Sequence, residues 1–203
     1  MRAERAVRST AMARGYSELV TYCFVSPQSI AALHFPGPDP RSSPVALSNP
    51  LSVDMSVLRT TLVPGLVQAV LKNISSGWRR AIRIFETGMV FFRKGLQVEE
   101  IFKLGGCVCP GVDSRSPWGD QGMEDFHSVA ADIEAIFASR GVDVELVPGS
   151  EPFGHAGKTA CILADGRDVG YLLALKPEIE SEMELPAPVF LFELDMEPLI
   201  RDG

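Results

Sequence analysis

The Asp165-Gly166 dipeptide stands between two apolar runs, Thr159 to Ala164 and Val169 to Leu175. Asp-Gly readily takes the left-handed backbone of a two-residue hairpin turn, so the two runs are predicted to pair antiparallel. Val142 to Val147 precedes them and Val189 to Leu194 (VFLFEL) follows, each dense in the β-branched and aromatic residues that suit a pleated, half-buried surface. Upstream, Ile82, Ile84 and Val90 to Phe92 predict one or two further strands ending at Lys94-Gly95. Leu104 to Cys109 predicts another, weakened by its paired glycines. Glu18 to Phe24 (ELVTYCF) and Val45 to Ser48 complete the expected strands.

Helices are predicted at irregular intervals between them. Arg2 to Arg14 contains no Pro or Gly and stops at Gly15. Ser26 followed by Pro27 offers an N-cap and a first helical residue for a short helix to Leu33, after which Pro36, Pro38, Pro40 and Pro44 impose a loop. Leu62, Leu66, Val70 and Asn73 recur along one stripe of a longer helix that tolerates Pro64 and Gly65 in its first turn and stops at Gly77. Phe126, Val129, Ala130, Ile133, Ile136 and Phe137 follow the i, i+3, i+4, i+7 spacing before Gly141. Pro177 opens a last short helix through Met183. Hairpin-linked strands with helices inserted irregularly define an α+β fold around a mainly antiparallel sheet.

Composition narrows the function. The 203 residues carry 19 Lys and Arg against 26 Asp and Glu, a formal charge of −7, which argues against autonomous binding of a nucleic-acid backbone. The cluster Arg79, Arg80 and Arg83 after Trp78 is a candidate RNA contact, with a solvated turn as the favoured reading. Three scattered histidines and four cysteines without a Cys-x-x-Cys designate no metal site, and Cys107 and Cys109 read as a same-face core pair. No apolar run approaches the roughly 20 residues of a membrane span, so a cytoplasmic protein is expected. Asn73-Ile74-Ser75 matches a glycosylation sequon that such a location would leave unused. The familiar hydrolase, metalloprotease, P-loop and dinucleotide signatures are absent.

Four segments, ARGYSELVTYCFVSP (Ala13 to Pro27), LSNPLSVDMSVLRTTLVPGLVQAVLKN (Leu47 to Asn73), IRIFETGMVF (Ile82 to Phe91) and VGYLLALKPEI (Val169 to Ile179), resemble the class II synthetase-like core domain of the bacterial-type phenylalanyl-tRNA synthetase beta subunit. The resemblance implies a class II catalytic-core fold and a heterotetramer whose alpha subunit activates phenylalanine with ATP and charges tRNA. It implies that the beta core has lost this chemistry. Catalytic relatives end a motif-2 strand on an Arg that clamps the ATP α-phosphate, with a carboxylate two residues later. The similar stretch Gly88 to Lys94 places Phe92 and Lys94 there, although a register one residue different would bring in Arg93. A third motif needs another Arg, and Gly170 to Ile200 contains none.

The remaining implied role is at the interface. The first helix through Pro27 resembles class II motif 1, which makes Val7, Met12, Gly15, Tyr16, Leu19, Val20 and Tyr22 partner-facing candidates, with packing of the domain's own core as the competing reading. The chain is expected to be one synthetase-like domain, residues 1–203, cut from a longer subunit. The editing, anticodon-binding-like and magnesium-binding parts of that subunit would lie outside it. ATP and magnesium would serve the complete enzyme, tRNA would be met only through the whole complex, and isolated interface surface could drive a homodimer. The alternatives are a residual ATP and amino-acid-binding ligase using Arg59, Arg83 and Arg93, or an RNA-contacting module.

Overall fold

The computed structural model describes residues 2–95, 97–111, 124–185 and 188–201. Helix α1 (Arg2–Ala13) leads into β1 (Ser17–Glu18), β2 (Phe24–Val25) and α2 (Pro27–Ala31), where Ser26 Oγ accepts from the Ser29 amide as the Ser-Pro pair predicts. After a loop come β3 (Val57–Leu58), α3 (Val63–Ser75) and the paired strands β4 (Ile82–Lys94) and β5 (Gln97–Cys109). Then follow α4 (Phe126–Ala138), β6 (Val144–Pro148), β7 (Gly154–Ala164), β8 (Arg167–Leu175), α5 (Pro177–Glu182), β9 (Phe190–Asp195) and α6 (Glu197–Ile200).

Seven strands form one sheet in the order β1-β4-β5-β9-β8-β7-β6, antiparallel throughout except for the β1–β4 pair. The Asp165-Gly166 hairpin is present, both residues having positive φ (51° and 71°). Side-chain alternation gives the sheet two buried faces. Phe85, Leu104, Val108, Leu172, Phe192 and Leu194 pack beneath α1 and α4 with Val7, Ile133, Ile136 and Phe137. Ile84, Cys107, Leu173 and Leu191 face the other way and meet Leu62, Leu66 and Val70 at α3 and Ile179 of α5. Cys107 and Cys109 are a buried same-face pair in this second core.

Three expectations are corrected. Glu18 to Phe24 is not one strand: its ends belong to different sheets, and Leu19 to Cys23 crosses between them as an extended strap. The strap keeps a two-residue alternation, but its inner position is the polar Thr21, whose bonds run to side chains and not along a neighbouring strand. Val45 to Ser48 shrinks to a single bridge between Ala46 and Val57. Strand β5 begins seven residues before Leu104, at Gln97, because β4 and β5 continue past the core as an exposed two-stranded ribbon whose Glu99 and Glu100 carry no apolar periodicity.

The paired glycines that weaken β5 on paper serve its packing. A Cβ on Gly106 would overlap the Phe192 ring, and one on Gly105 would press on Leu62 and Leu66 at 3.0 Å. Gly106→Ala is therefore expected to cost about 1–3 kcal/mol by overpacking. Gly37→Ala, in open space, should leave the midpoint of a urea unfolding curve nearly unmoved.

Candidate functional site

Two carboxylates on the α3 face of the sheet are 1–2% exposed, and the segment Arg59 to Leu62 answers both. Glu86 of β4 accepts from Arg59 Nη1 (2.8 Å) and from Thr21 Oγ1 (2.7 Å) and N (3.2 Å). Arg59 also donates through Nε to the Met89 carbonyl (2.8 Å) and through Nη1 to Thr21 Oγ1 (2.9 Å). Gly88 leaves room for this guanidinium, which a Cβ there would overlap. Glu193 of β9 accepts from Thr61 Oγ1 (2.6 Å) and the Leu62 amide (2.7 Å). Arg59 is thus committed inside the protein and unavailable to a phosphate.

On the opposite face Asp132 of α4 is 2% exposed and gathers Arg14, Tyr16 and Arg83. Arg14 Nε donates at 2.6 Å and Tyr16 Oη at 3.0 Å; Arg83 pairs with both Asp132 and Glu124 and lies over the Tyr16 ring, 4.6 Å from its centroid. Burial, with Asp132 adding to it, pushes the Tyr16 hydroxyl well above its ordinary range. Arg83 therefore leaves the proposed RNA cluster, because a partly buried guanidinium shared by two carboxylates has no charge to offer. Arg79 and Arg80 stay exposed.

A cleft lies on the α3 face, between the Asp39–Arg41 turn, the β4–β5 ribbon and strands β7, β8 and β9. Phe92 lines it. Arg93, one residue later on a strand, belongs to the opposite face with Phe85 and is exposed, so neither register supplies a guanidinium from β4. Lys94 is exposed and reaches Glu99 across the ribbon (3.1 Å). The two cations that do line the cleft, Arg41 and Lys103, are each bracketed by two carboxylates. Arg41 is held by Asp39 (2.7 Å) and Glu151 (2.8 Å), Lys103 by Asp195 (3.0 Å) and Glu193 (3.5 Å). Burial works to lower the Lys103 pKa, but the charges of Glu193 and Asp195 outweigh it and hold the ammonium above its usual value. Sequence reading missed both cations, because each acquires its meaning from carboxylates distant in the chain.

The seven interface candidates separate sharply. Val7 and Tyr16, expected to face a partner, are 0% and 3% exposed: the inward stripe of α1 and the Asp132 network hold them in the chain's own core. Leu19 is half-buried against the second core. Met12 and Gly15 are exposed, and on the strap Val20 and Tyr22 are 87% and 71% exposed. Three residues were overlooked: Phe24, Leu51 (86% exposed) and Val53 (74%). The turn Val53–Met55 packs on β2, bringing Val53 beside the strand that carries Phe24. Apolar residues in a loop without helical or strand periodicity were the available signal.

An antiparallel sheet backed by α1 and α4, with a helix laid across its other face, is the core architecture of class II aminoacyl-tRNA synthetases. Two structures of pyrrolysyl-tRNA synthetase from Desulfitobacterium hafniense share it, each with a TM-score of 0.72 over 98% of this chain and 64% and 67% of theirs, at 17% identity. The sequence profile of the phenylalanyl tRNA synthetase beta chain CLM domain matches residues 1–196, and the chain belongs to that family. Phenylalanine-tRNA ligase beta subunits from Pseudomonas fluorescens and Coxiella burnetii are 40% and 38% identical over 93% and 90% of the chain. The chain spans 23% of the length of each. Among the described residues no helix is long and apolar enough to cross a membrane.

Arg59→Ala should cost about 3–5 kcal/mol, since it strands a buried carboxylate, whereas Arg59→Met combined with Glu86→Leu should recover most of that loss in urea melts. Burial first, and Asp168 next, pushes the Cys161 thiol up to about 11, so its alkylation by iodoacetamide at neutral pH should be much slower than that of an unperturbed thiol.

Proposed function

We propose that the chain is the non-catalytic synthetase-like domain of a phenylalanine-tRNA ligase beta subunit, which docks on the catalytic alpha subunit and stabilises it during phenylalanyl-tRNA formation. The name of its relatives supports the partner: a beta subunit implies an alpha chain. The observation that carries the docking role is the apolar strap. Val20 and Tyr22 are largely exposed while their neighbour Thr21 is pinned to Glu86 and Arg59, so the strap presents apolar side chains on a fixed backbone. Apolar surface held rigid before contact loses little conformational entropy on association. With Phe24 and Val53 alongside, it supplies the apolar centre that such an interface needs.

Loss of chemistry is supported by the cleft. By the resemblance to class II motif 2, Phe92 stands where catalytic relatives carry a phosphate-clamping arginine, and the lining carries Asp39, Glu151, Asp168 and Asp195 against Arg41 and Lys103. A triphosphate would meet an excess of like charge there, so this domain takes no nucleotide, and ATP and magnesium belong to the complete enzyme. Any contact with tRNA is made through the whole complex.

Co-expressed with the alpha subunit of the same organism, the chain should co-elute with it in size-exclusion light scattering. Val20→Glu with Tyr22→Glu should weaken that association at least tenfold, and Trp78→Glu should not. Persistence of the complex in the double variant would reject the strap as the contact. Phenylalanine-dependent ATP exchange by the chain alone would reject the non-catalytic reading. A dimer of the chain alone that the same double variant abolishes would show the strap self-pairing in the partner's absence.

A further inference from the structure

The acidic total of the chain is unevenly spread. From Met55 to Phe85 there is no Asp or Glu, while the same stretch carries Arg59, Lys72, Arg79, Arg80 and Arg83. Arg59 and Arg83 are spent on Glu86, Asp132 and Glu124. Lys72, near the end of α3, and Arg79 and Arg80, in the turn that follows it, are exposed, and among the described residues no ion pair or hydrogen bond engages their side chains. Trp78, immediately before the arginine pair, is 50% exposed, and its indole pairs with no other aromatic ring among the described residues.

The backbone that carries these side chains is fixed before any contact. Gly77 closes α3 with a positive φ of 91° and donates its amide to the Ile74 carbonyl (2.9 Å), and the Trp78 amide donates to the Asn73 carbonyl (3.1 Å). Gly111, beyond β5, lies flat against the next three residues: a Cβ there would stand 2.8 Å from the Arg79 carbonyl oxygen and the Ala81 nitrogen. Arg83 anchors the start of β4 behind the turn through Asp132 and Glu124. The other exposed residues of this stretch, Asn73, Ser75 and Ser76, are polar, so it lacks the apolar centre that a protein interface carries.

A half-exposed indole beside two planar guanidinium groups, which only donate, suits a ligand that is flat and apolar in one part and anionic in another. An unpaired nucleotide is both: its base stacks on the aromatic ring and its phosphates take the arginine forks. A base inside a duplex is already stacked on its neighbours, so the matching partner is single-stranded. The formal charge of −7 does not oppose such a contact at physiological salt, where exposed charges are screened beyond about 8 Å and the acid-free stretch sets the local field. We propose that Trp78, Arg79 and Arg80, with Lys72 in the last turns of α3, contact an unpaired segment of RNA. This rests on the ligase reading, in which that RNA is the tRNA held by the whole complex. The base lies on Trp78, the flanking phosphates meet Arg79 and Arg80, and Arg83 takes no part.

The test is a fluorescence titration of the full 203-residue chain, carrying Trp118→Phe so that Trp78 is its one indole, with an unpaired oligouridylate and with an RNA duplex of the same length. At low ionic strength the oligouridylate should quench Trp78 saturably and the duplex should not. Followed by anisotropy of the labelled oligouridylate, Trp78→Ala should weaken binding roughly 5- to 150-fold, and Trp78→Phe should restore much of the loss. Arg79→Gln with Arg80→Gln should weaken binding and flatten the slope of log affinity against log salt by about 1.4, the release expected for two phosphate contacts on a single strand. Arg93→Gln, at an exposed arginine on the β4–β5 ribbon, should change neither. In the complex with the alpha subunit, Trp78→Ala combined with Arg79→Gln and Arg80→Gln should lower tRNA affinity and leave co-elution intact. Absence of saturable quenching, equal weakening by Arg93→Gln, or unchanged tRNA affinity of the variant complex would overturn the proposal. Loss of co-elution with RNA affinity kept would overturn it as well, by assigning the turn to a protein partner. Failure of the unaltered chain to bind the alpha subunit would reject the docking reading, and the oligouridylate titration would still decide this one.

Discussion

A carboxylate removed from water must be neutralised where it stands, and Glu86 in the middle of β4 is such a group. Arg59 and Thr21 supply the neutralising contacts, from opposite sides of the chain's long loop. Because the next residues, Thr61 and Leu62, satisfy Glu193, the four residues Arg59 to Leu62 span two strands of the sheet and set the start of α3. The strap, the small β2–β3 sheet and α3 all take their positions from these two buried charges. Asp132 does the equivalent work on the other face, tying the end of α1 and the start of β4 to α4.

The same contacts support the proposed absence of synthetase chemistry from this domain. Three guanidinium groups near the sheet are spent on internal carboxylates: Arg59 on Glu86, Arg83 on Asp132 and Glu124, Arg41 on Asp39 and Glu151. A charge already paired at under 3 Å gains little from a phosphate that would first have to break the pair. In the proposed reading the fold serves as scaffold. The surface it offers a partner is then the apolar side chains of the strap, Val20 and Tyr22.

Much of the fold was legible in the chain. Apolar periodicity located α3 and α4, Asp165-Gly166 located the β7–β8 hairpin, and Ser26-Pro27 located α2, because each signal is local and acts within a few residues. The strap was misread because Val20, Tyr22 and Phe24 have the residue types of a strand, while the group that decides their partner is Glu86, more than 60 residues away. The outer half of β5 was missed because an exposed ribbon needs no apolar pattern. Among the interface candidates, residue type alone could not separate Val7 and Tyr16 from Val20 and Tyr22, since buried and exposed apolar side chains are written with the same letters.

By itself the sequence determined the α+β class, the strands and helices with strong local periodicity, the acidic balance and the family. It also showed that Gly170 to Ile200 contains no arginine for a third motif. Tertiary structure alone decided that Arg93 turns away from the cleft, that Arg83 belongs to Asp132, that Val20 and Tyr22 stand outside, and that Tyr171, Glu151 and Asp195 meet around one cavity. The physical reason is range. Propensity and periodicity act between near neighbours, whereas burial and charge pairing depend on which distant residues the folded sheet brings together.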